Sequence, residues 1–272
     1  MSKVDLSINE EEVLKGFREY FDSFKDDLNN FSYWEPKVEN CGIEVPESVI
    51  IPVPVEIGQA FFMVRPDEDF EKVYEWVKKD VMPCLKEIPG TGPFVFVKNG
   101  TFSNKYCFRD CKVQRNAHEL ACSIININYD ALLVGAGGIS ELVIREFIEF
   151  NHGLTPTIYQ GMPLRTEFRV FYDFDKRKVL YSVNYWDYDY CHEAISRDFT
   201  DKIIYESHWP HLKQSFEKRK EDVELMISDS MEDVEMTGIW SVDVMWSDEE
   251  EEYYLIDMAI AARSAYWDPE RI

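Results

Sequence analysis

The chain has 272 residues, 45% of them hydrophobic and 15% aromatic, enough to bury a sizeable core and too apolar for disorder. Its 29 Lys and Arg face 52 Asp and Glu, a formal charge of −23, which argues against broad attraction to nucleic acid or an anionic membrane. The start MSKVDLSINEEEVL lacks the basic and apolar segments of an export signal, and no apolar run approaches the ~20 residues of a membrane span. The six cysteines then read as reduced core thiols, and a soluble, cytoplasmic protein is expected.

In chain order, Ser7 and Glu10 form a capping box, and Val13, Leu14, Phe17, Phe21 and Phe24 follow at helical spacing, so an amphipathic helix is expected to pack on the body. The proline-containing run Val49 to Val55 and the short apolar run Ala60 to Val64 both suit edge or short strands, and Phe70, Val73, Tyr74 and Val77 mark a second helix. Gly90, Gly92 and Pro93 punctuate the chain before a strand from Phe94 to Lys98. Asn99-Gly100 then reads as the turn of a hairpin to Tyr106–Arg109.

A helix is expected around His118 to Ile127, a strand from Glu141 to Phe150, and a hairpin of Thr166–Tyr172 with Val179–Tyr185 across the charged turn 173–178. His208-Trp-Pro-His211 reads as the start of a helix running to about Ile227. Two final strands, Ile239–Trp246 and Tyr253–Met258, flank an acidic turn. No linker or internal repeat divides the chain. It reads as α+β with mainly antiparallel pairing, a helical and short-strand region (1–92) packed on a core (93–272), forming two lobes around a cleft.

A site that handles phosphate needs cations for its oxygens, hard oxygen ligands for magnesium and an apolar slot. Lys98 ends the apolar strand FVFVK, so its ammonium either reaches a cleft or snorkels to water. Asn99, Gly100, Thr101, Ser103 and Asn104 make a small-residue loop of the kind whose backbone amides approach phosphate; it is not a Walker A loop. Gly135-Ala136-Gly137-Gly138 reads as an ordinary turn. Strand alternation puts Glu167 and Arg169 on one face and Phe168 on the other, leaving Arg169 either a phosphoryl clamp or the partner of Glu167. Asp243 and Asp257 lie inside apolar strands, where two close carboxylates are costly unless a cation lies between them. Cys107-x3-Cys111 has no second ligand pair, and His118, His152, His192, His208 and His211 show no zinc or triad spacing.

Taken in order, FVFVKNGTFSNK, ELVIREFIEF, PLRTEFRVFYDFDKRKVLYSVNYWD and GIWSVDVMWSDEEEEYYLIDMA resemble the lysine strand and phosphate loop, adenine hinge strand, Glu-x-Arg hairpin and paired metal-binding strands of the ATP-grasp superfamily, over Pro93 to Trp267. The chain looks closest to the short branch that lacks the usual preceding domain and includes assembly factors for translation initiation factor 2. The resemblance implies two lobes of mainly antiparallel sheet around a nucleotide cleft, with ATP and Mg as cofactors. Lys98 would touch phosphates together with the loop, the backbone of Glu146, Phe147 and Ile148 would meet adenine, and Glu167 and Arg169 would line the site, with Arg169 at the γ-phosphate. Asp243 and Asp257 would hold magnesium, with Lys98 and Arg169 as the catalytic cations.

One departure stands out: the family usually has an asparagine two residues after its second acidic ligand, and this chain has Ala259 there. Arg263 and Ser264 are candidates to compensate, with Arg263 neutralising phosphate. Lys86 and Arg65 are candidates for the family's other lysine. The expected function is an ATP- and Mg-dependent carboxylate–amine ligase acting through an acyl phosphate on an unidentified small-molecule or protein acceptor. The alternative is a nucleotide-gated protein-binding or assembly factor with little or no catalysis.

Overall fold

The computed structural model describes residues 10–88, 92–195 and 197–272, so Ser7 and Gly90 lie outside the described residues. Two antiparallel four-stranded sheets carry the molecule. The first has the order β1 (Ser48–Pro52), β4 (Glu141–Glu146), β2 (Phe94–Asn99), β3 (Lys112–Gln114). The second has the order β10 (Glu252–Ile260), β9 (Ile239–Ser247), β7 (Glu167–Asp173), β8 (Lys178–Asn184). A short ribbon, β5 (Thr157–Ile158) with β6 (Met162–Pro163), lies between them in sequence. Among the described residues, no helix is long and apolar enough to cross a membrane.

Strand alternation assigns side chains to layers. On β4, Leu142 and Ile144 enter the core shared with α3 (Val55–Ala60), α4 (Pro66–Trp76) and α6 (Ala117–Val134). Val143 points the other way, into the core under the second sheet, α2 (Phe31–Val38) and the long α8 (Phe199–Met231). A third cluster, with Phe108, Met162, Trp186, Tyr205 and Leu212, fills the space beneath α7 (Tyr188–Ile195).

Several expected elements take another form. In α1 (Glu10–Ser23), Phe21 is buried and Phe17 meets Phe62 edge-on at 5.2 Å, but Val13 and Leu14 are 55% and 45% exposed, so only the end of the stripe packs. Gly58 allows this approach, since a Cβ there would lie 2.6 Å from the Phe21 ring. The run Ala60 to Val64 is the end of α3 and a turn, because Ile57, Ala60 and Phe61 reach the core together at helical spacing. Helix α4 continues through a π-helical turn (Val77–Val81) into α5 (Met82–Cys84).

Tyr106–Arg109 is no strand but part of a 3₁₀ segment, Lys105–Asp110; β2 pairs instead with β3, Val95 opposite Val113. Neither Asn99 nor Gly100 has the positive φ that a two-residue primed turn needs. Strand β4 stops at Glu146, because the Arg165 guanidinium takes the Ile148 and Glu149 carbonyls that a ladder would use. Helix α8 begins at Phe199, capped by Asp198, and carries Pro210 inside it; its buried face, from Tyr205 to Met231, outweighs one lost backbone hydrogen bond.

Candidate functional site

On β2, Val95 and Val97 enter the first core, which turns Phe96 and Lys98 toward the second sheet. Lys98 does not snorkel. It is 2% exposed, its ammonium lies 5.4 Å from the Phe31 ring, and it donates to Asp257 Oδ1 at 3.0 Å. Burial, together with Arg145 nearby, draws the Lys98 pKa down. Burial alone would raise the Asp257 carboxyl, but Lys98 overrides it and holds Asp257 below the usual carboxylate range. Asp257 follows a bulge in β10 and sits directly opposite Asp243 on β9.

The two carboxylates are therefore neighbours, as expected from adjacent strands, and each has its own cation. Arg169 forks onto Asp243 with Nε to Oδ1 at 2.8 Å and Nη2 to Oδ2 at 2.7 Å. Burial works against the Arg169 charge, but Asp243 outweighs it and raises the pKa. Glu167 shares this face while Phe168 enters the core, and the partner of Arg169 is Asp243, not Glu167. Glu167 is buried, 4.0 Å from Lys105 Nζ, and its Oε2 has no hydrogen-bond partner among the described residues. Burial raises its carboxyl, with Lys105 opposing.

These groups line two adjoining cavities. The first, ≈ 90 Å³, lies between Phe96, Phe147 and Met245 with Lys98, Arg145 and Glu167. Glu146, Phe147 and Ile148 line it as well. The Glu146 N–H is taken by the Glu47 carbonyl, whereas the Phe147 and Ile148 N–H groups have no hydrogen-bond partner among the described residues. The second cavity, ≈ 310 Å³, includes Thr101, Arg169, Tyr185, Tyr190, Asp243 and Tyr266. Ser103, Lys105, Met162 and Asp257 belong to both walls.

Other expected site residues fall elsewhere. Asn99 is buried and spends its side chain on the loop: Oδ1 accepts from the Thr101 and Phe102 amides, and Nδ2 donates to the Gly137 carbonyl. The Gly100 amide is held by the Gly138 carbonyl at 3.2 Å. Gly138 has φ +73°, and a Cβ there would lie 2.8 Å from the Thr101 nitrogen, so the Gly135–Gly138 turn is a close-packed support for this loop. The amides of Gly100, Thr101 and Phe102 are thus already bonded, and Asn99 and Gly100 line neither cavity. Arg263 is directed outward by the 3₁₀ turn Ala261–Arg263, is 61% exposed, and pairs with Asp27 at 2.6 Å. Ser264 bonds Ser241, opposite Ala259. Arg65 pairs with Glu68 beside α4 and Lys86 is exposed, both outside the two cavities.

Among the described residues, no group of three His, Cys, Asp or Glu is gathered to hold a metal ion, and no disulfide forms. Burial pushes the Cys111 thiol up to about 12, which suits an inert core thiol. Three cations not singled out in the sequence line the cleft: Lys105, Arg145 and Arg165. Lys105 donates to the Tyr185 hydroxyl at 2.9 Å; burial lowers its pKa, but Tyr185 and Glu167 outweigh this and raise it. The signal for Arg145 was legible, since it stands two residues from Val143 on an apolar strand and so shares its face.

No protein-family model and no curated protein matches the chain. Solved structures do. Cdc123 from Schizosaccharomyces pombe is similar at 15% identity and TM-score 0.50, over 88% of this chain and 86% of that one. The fold is ATP-grasp-like. The biotin carboxylase domain of Hydrogenobacter thermophilus 2-oxoglutarate carboxylase, in complex with MgADP, ADP and bicarbonate, is similar at 11% identity and TM-score 0.43, over 85% of this chain and 39% of that one. The D-alanine–D-alanine ligase from Bacillus anthracis, complexed with ATP, is similar at 12% identity and TM-score 0.37, over 84% of this chain and 52% of that one. At these identities the likeness concerns the fold, and what the ATP-grasp-like cleft does rests on its own residues.

Proposed function

We propose that the chain binds ATP with magnesium between its two sheets and uses it to join a carboxylate to an amine. The observation that carries this reading is the adjacency of two features in one cleft. Among the described residues the Phe147 and Ile148 N–H groups lack partners beside an apolar slot, and Lys98 and Arg169 stand next to it against paired carboxylates. Unbonded backbone beside aromatic side chains suits a purine edge, and buried cations suit phosphoryl oxygens. The adjoining 310 Å³ cavity leaves room for an acceptor next to the cations.

Magnesium takes one or two carboxylates beside substrate phosphates. Asp257 fits this role, since its Oδ2 makes no hydrogen bond among the described residues. Asp243 fits once Arg169 turns from it to a phosphoryl group, because both of its oxygens now accept from Arg169. When bound, the ion offsets charge on the phosphates. In the transfer, an acceptor carboxylate oxygen bonds to the γ-phosphorus as the bond to the ADP oxygen breaks. The amine then attacks the acyl carbon, loses a proton and expels phosphate. Lys98 and Arg169 hold the phosphoryl oxygens through these steps.

A second reading, nucleotide-gated binding of a partner without turnover, is favoured by Ala259, which brings no side-chain oxygen to the place beyond Asp257. The acidic surface then suits a partner with a basic face. Calorimetric titration with a non-hydrolysable ATP analogue, with and without magnesium, tests the common ground. Magnesium-dependent binding weakened by Lys98→Ala and by Asp257→Asn is expected, and no binding by the native chain would sink both readings. Phosphate release with a panel of carboxylates and amines separates them.

A further inference from the structure

Arg145 is a buried cation that the site described so far does not use. It is 7% exposed on β4, and among the described residues no carboxylate lies within salt-bridge distance of it, whereas Lys98, Lys105, Arg165 and Arg169 each have one. Its guanidinium is held between the rings of Phe31 and Phe96, with its carbon 5.6 and 5.0 Å from their centroids. Nη1 donates to the Ile256 carbonyl at 2.6 Å, and among the described residues Nε has no hydrogen-bond partner. Burial lowers the Arg145 pKa, with Asp257, Glu146 and Glu35 opposing from beyond ion-pair distance; a buried cation without a direct ion pair is costly, and aromatic faces and a single carbonyl offset only part of that cost.

The register supplies the rest. Phe96 pairs with Arg145 and Lys98 with Val143, so Lys98 and Arg145 are diagonal neighbours on one face. Among the described residues, Asp257 is the one carboxylate at ion-pair distance from Lys98, and none lies at that distance from Arg145. Arg145 also immediately precedes the Glu146–Ile148 segment and lines the first cavity with it. We propose that Arg145 is an anion-binding residue whose direct ion-pair partner is supplied by the ligand, and that the anion is the phosphate chain of a nucleotide, met close to its base. This rests on the ATP-binding reading. It adds that the cleft discriminates nucleotides from nucleosides through Arg145.

The test titrates the native chain, Arg145→Gln and Arg145→Lys with ADP, adenosine and inorganic tripolyphosphate, and records thermal unfolding of each without ligand. Arg145→Gln is expected to weaken ADP and tripolyphosphate between about tenfold and a hundredfold, and adenosine less than about threefold. It is expected to unfold no earlier than the native chain, because a buried charge with no direct ion pair has been removed; Arg145→Lys keeps an intermediate affinity. Equal losses for ADP and adenosine with earlier unfolding of Arg145→Gln would mean a structural role and overturn the proposal. Unchanged ADP binding by Arg145→Gln, or no binding of either anion by the native chain, would also overturn it. If the native chain binds tripolyphosphate and Arg145→Gln does not, while ADP and adenosine fail to bind, Arg145 keeps its anion role, and the assignment of that anion to a nucleotide is overturned together with the ATP reading.

Discussion

The Arg169–Asp243 and Lys98–Asp257 pairs use similar groups in almost the same place, yet they do different structural work. The first joins neighbouring strands of one sheet, β7 and β9, through two hydrogen bonds, with side chains 12% and 4% exposed. The second joins two sheets through one hydrogen bond, and the Asp257 side chain is 34% exposed. An ion pair within a sheet is positioned by the ladder whatever the lobes do. One that crosses the cleft exists only while the sheets face each other, so a ligand that enters between them competes with it directly.

Removing Asp243 should have the largest effect. Asp243→Ala strands the Arg169 guanidinium in a buried site and is expected to cost about 3–5 kcal/mol in denaturant unfolding. Lys98→Ala leaves a carboxylate that water can reach, so a smaller loss of about 1–2 kcal/mol is expected. Hydrogen exchange in that variant should quicken at the β10 bulge around Asp257 and not in the β7–β9 ladder; quickening of both alike would erase the distinction between the two pairs.

Glu167 sharpens the comparison through pH. Burial raises its carboxyl, so the folded state favours the protonated form. Its contribution to stability is full below the ordinary glutamate pKa of about 4.3 and is lost as pH rises through the raised value. Glu167→Gln mimics the protonated form and should be the more stable protein at neutral pH, by about 1 kcal/mol, with the difference closing as pH falls toward 4. A difference independent of pH would show that charge is not its cause. Arg263→Ala marks the lower end: its exposed pair with Asp27 is worth at most about 1 kcal/mol, and nucleotide affinity should not change.

Much of this was legible in residue order. The strands carrying Lys98, Glu167, Arg169, Asp243 and Asp257 announce themselves by apolar runs and alternation, and the pairing of Asp243 with Asp257 follows from two strands joined by a short acidic turn. The loop departs from its composition for two reasons, one local and one distant. Asn99-Gly100 has the composition of a tight turn, but the Asn99 side chain takes the Thr101 and Phe102 amides within the loop, and the Gly138 carbonyl, on chain folded back from elsewhere, takes that of Gly100. A 3₁₀ turn, which has no clear sequence signal, directs Arg263 outward to Asp27.

The sequence by itself determined the α+β class, the antiparallel hairpins and the face on which each charged strand residue lies, because side-chain alternation is a property of the extended backbone. Only the tertiary structure decided who partners whom. The choice of Asp243 over Glu167 for Arg169, of Asp257 for Lys98, and, among the described residues, of no carboxylate at ion-pair distance for Arg145 depends on how two sheets meet, and distance across a cleft is written in no local spacing.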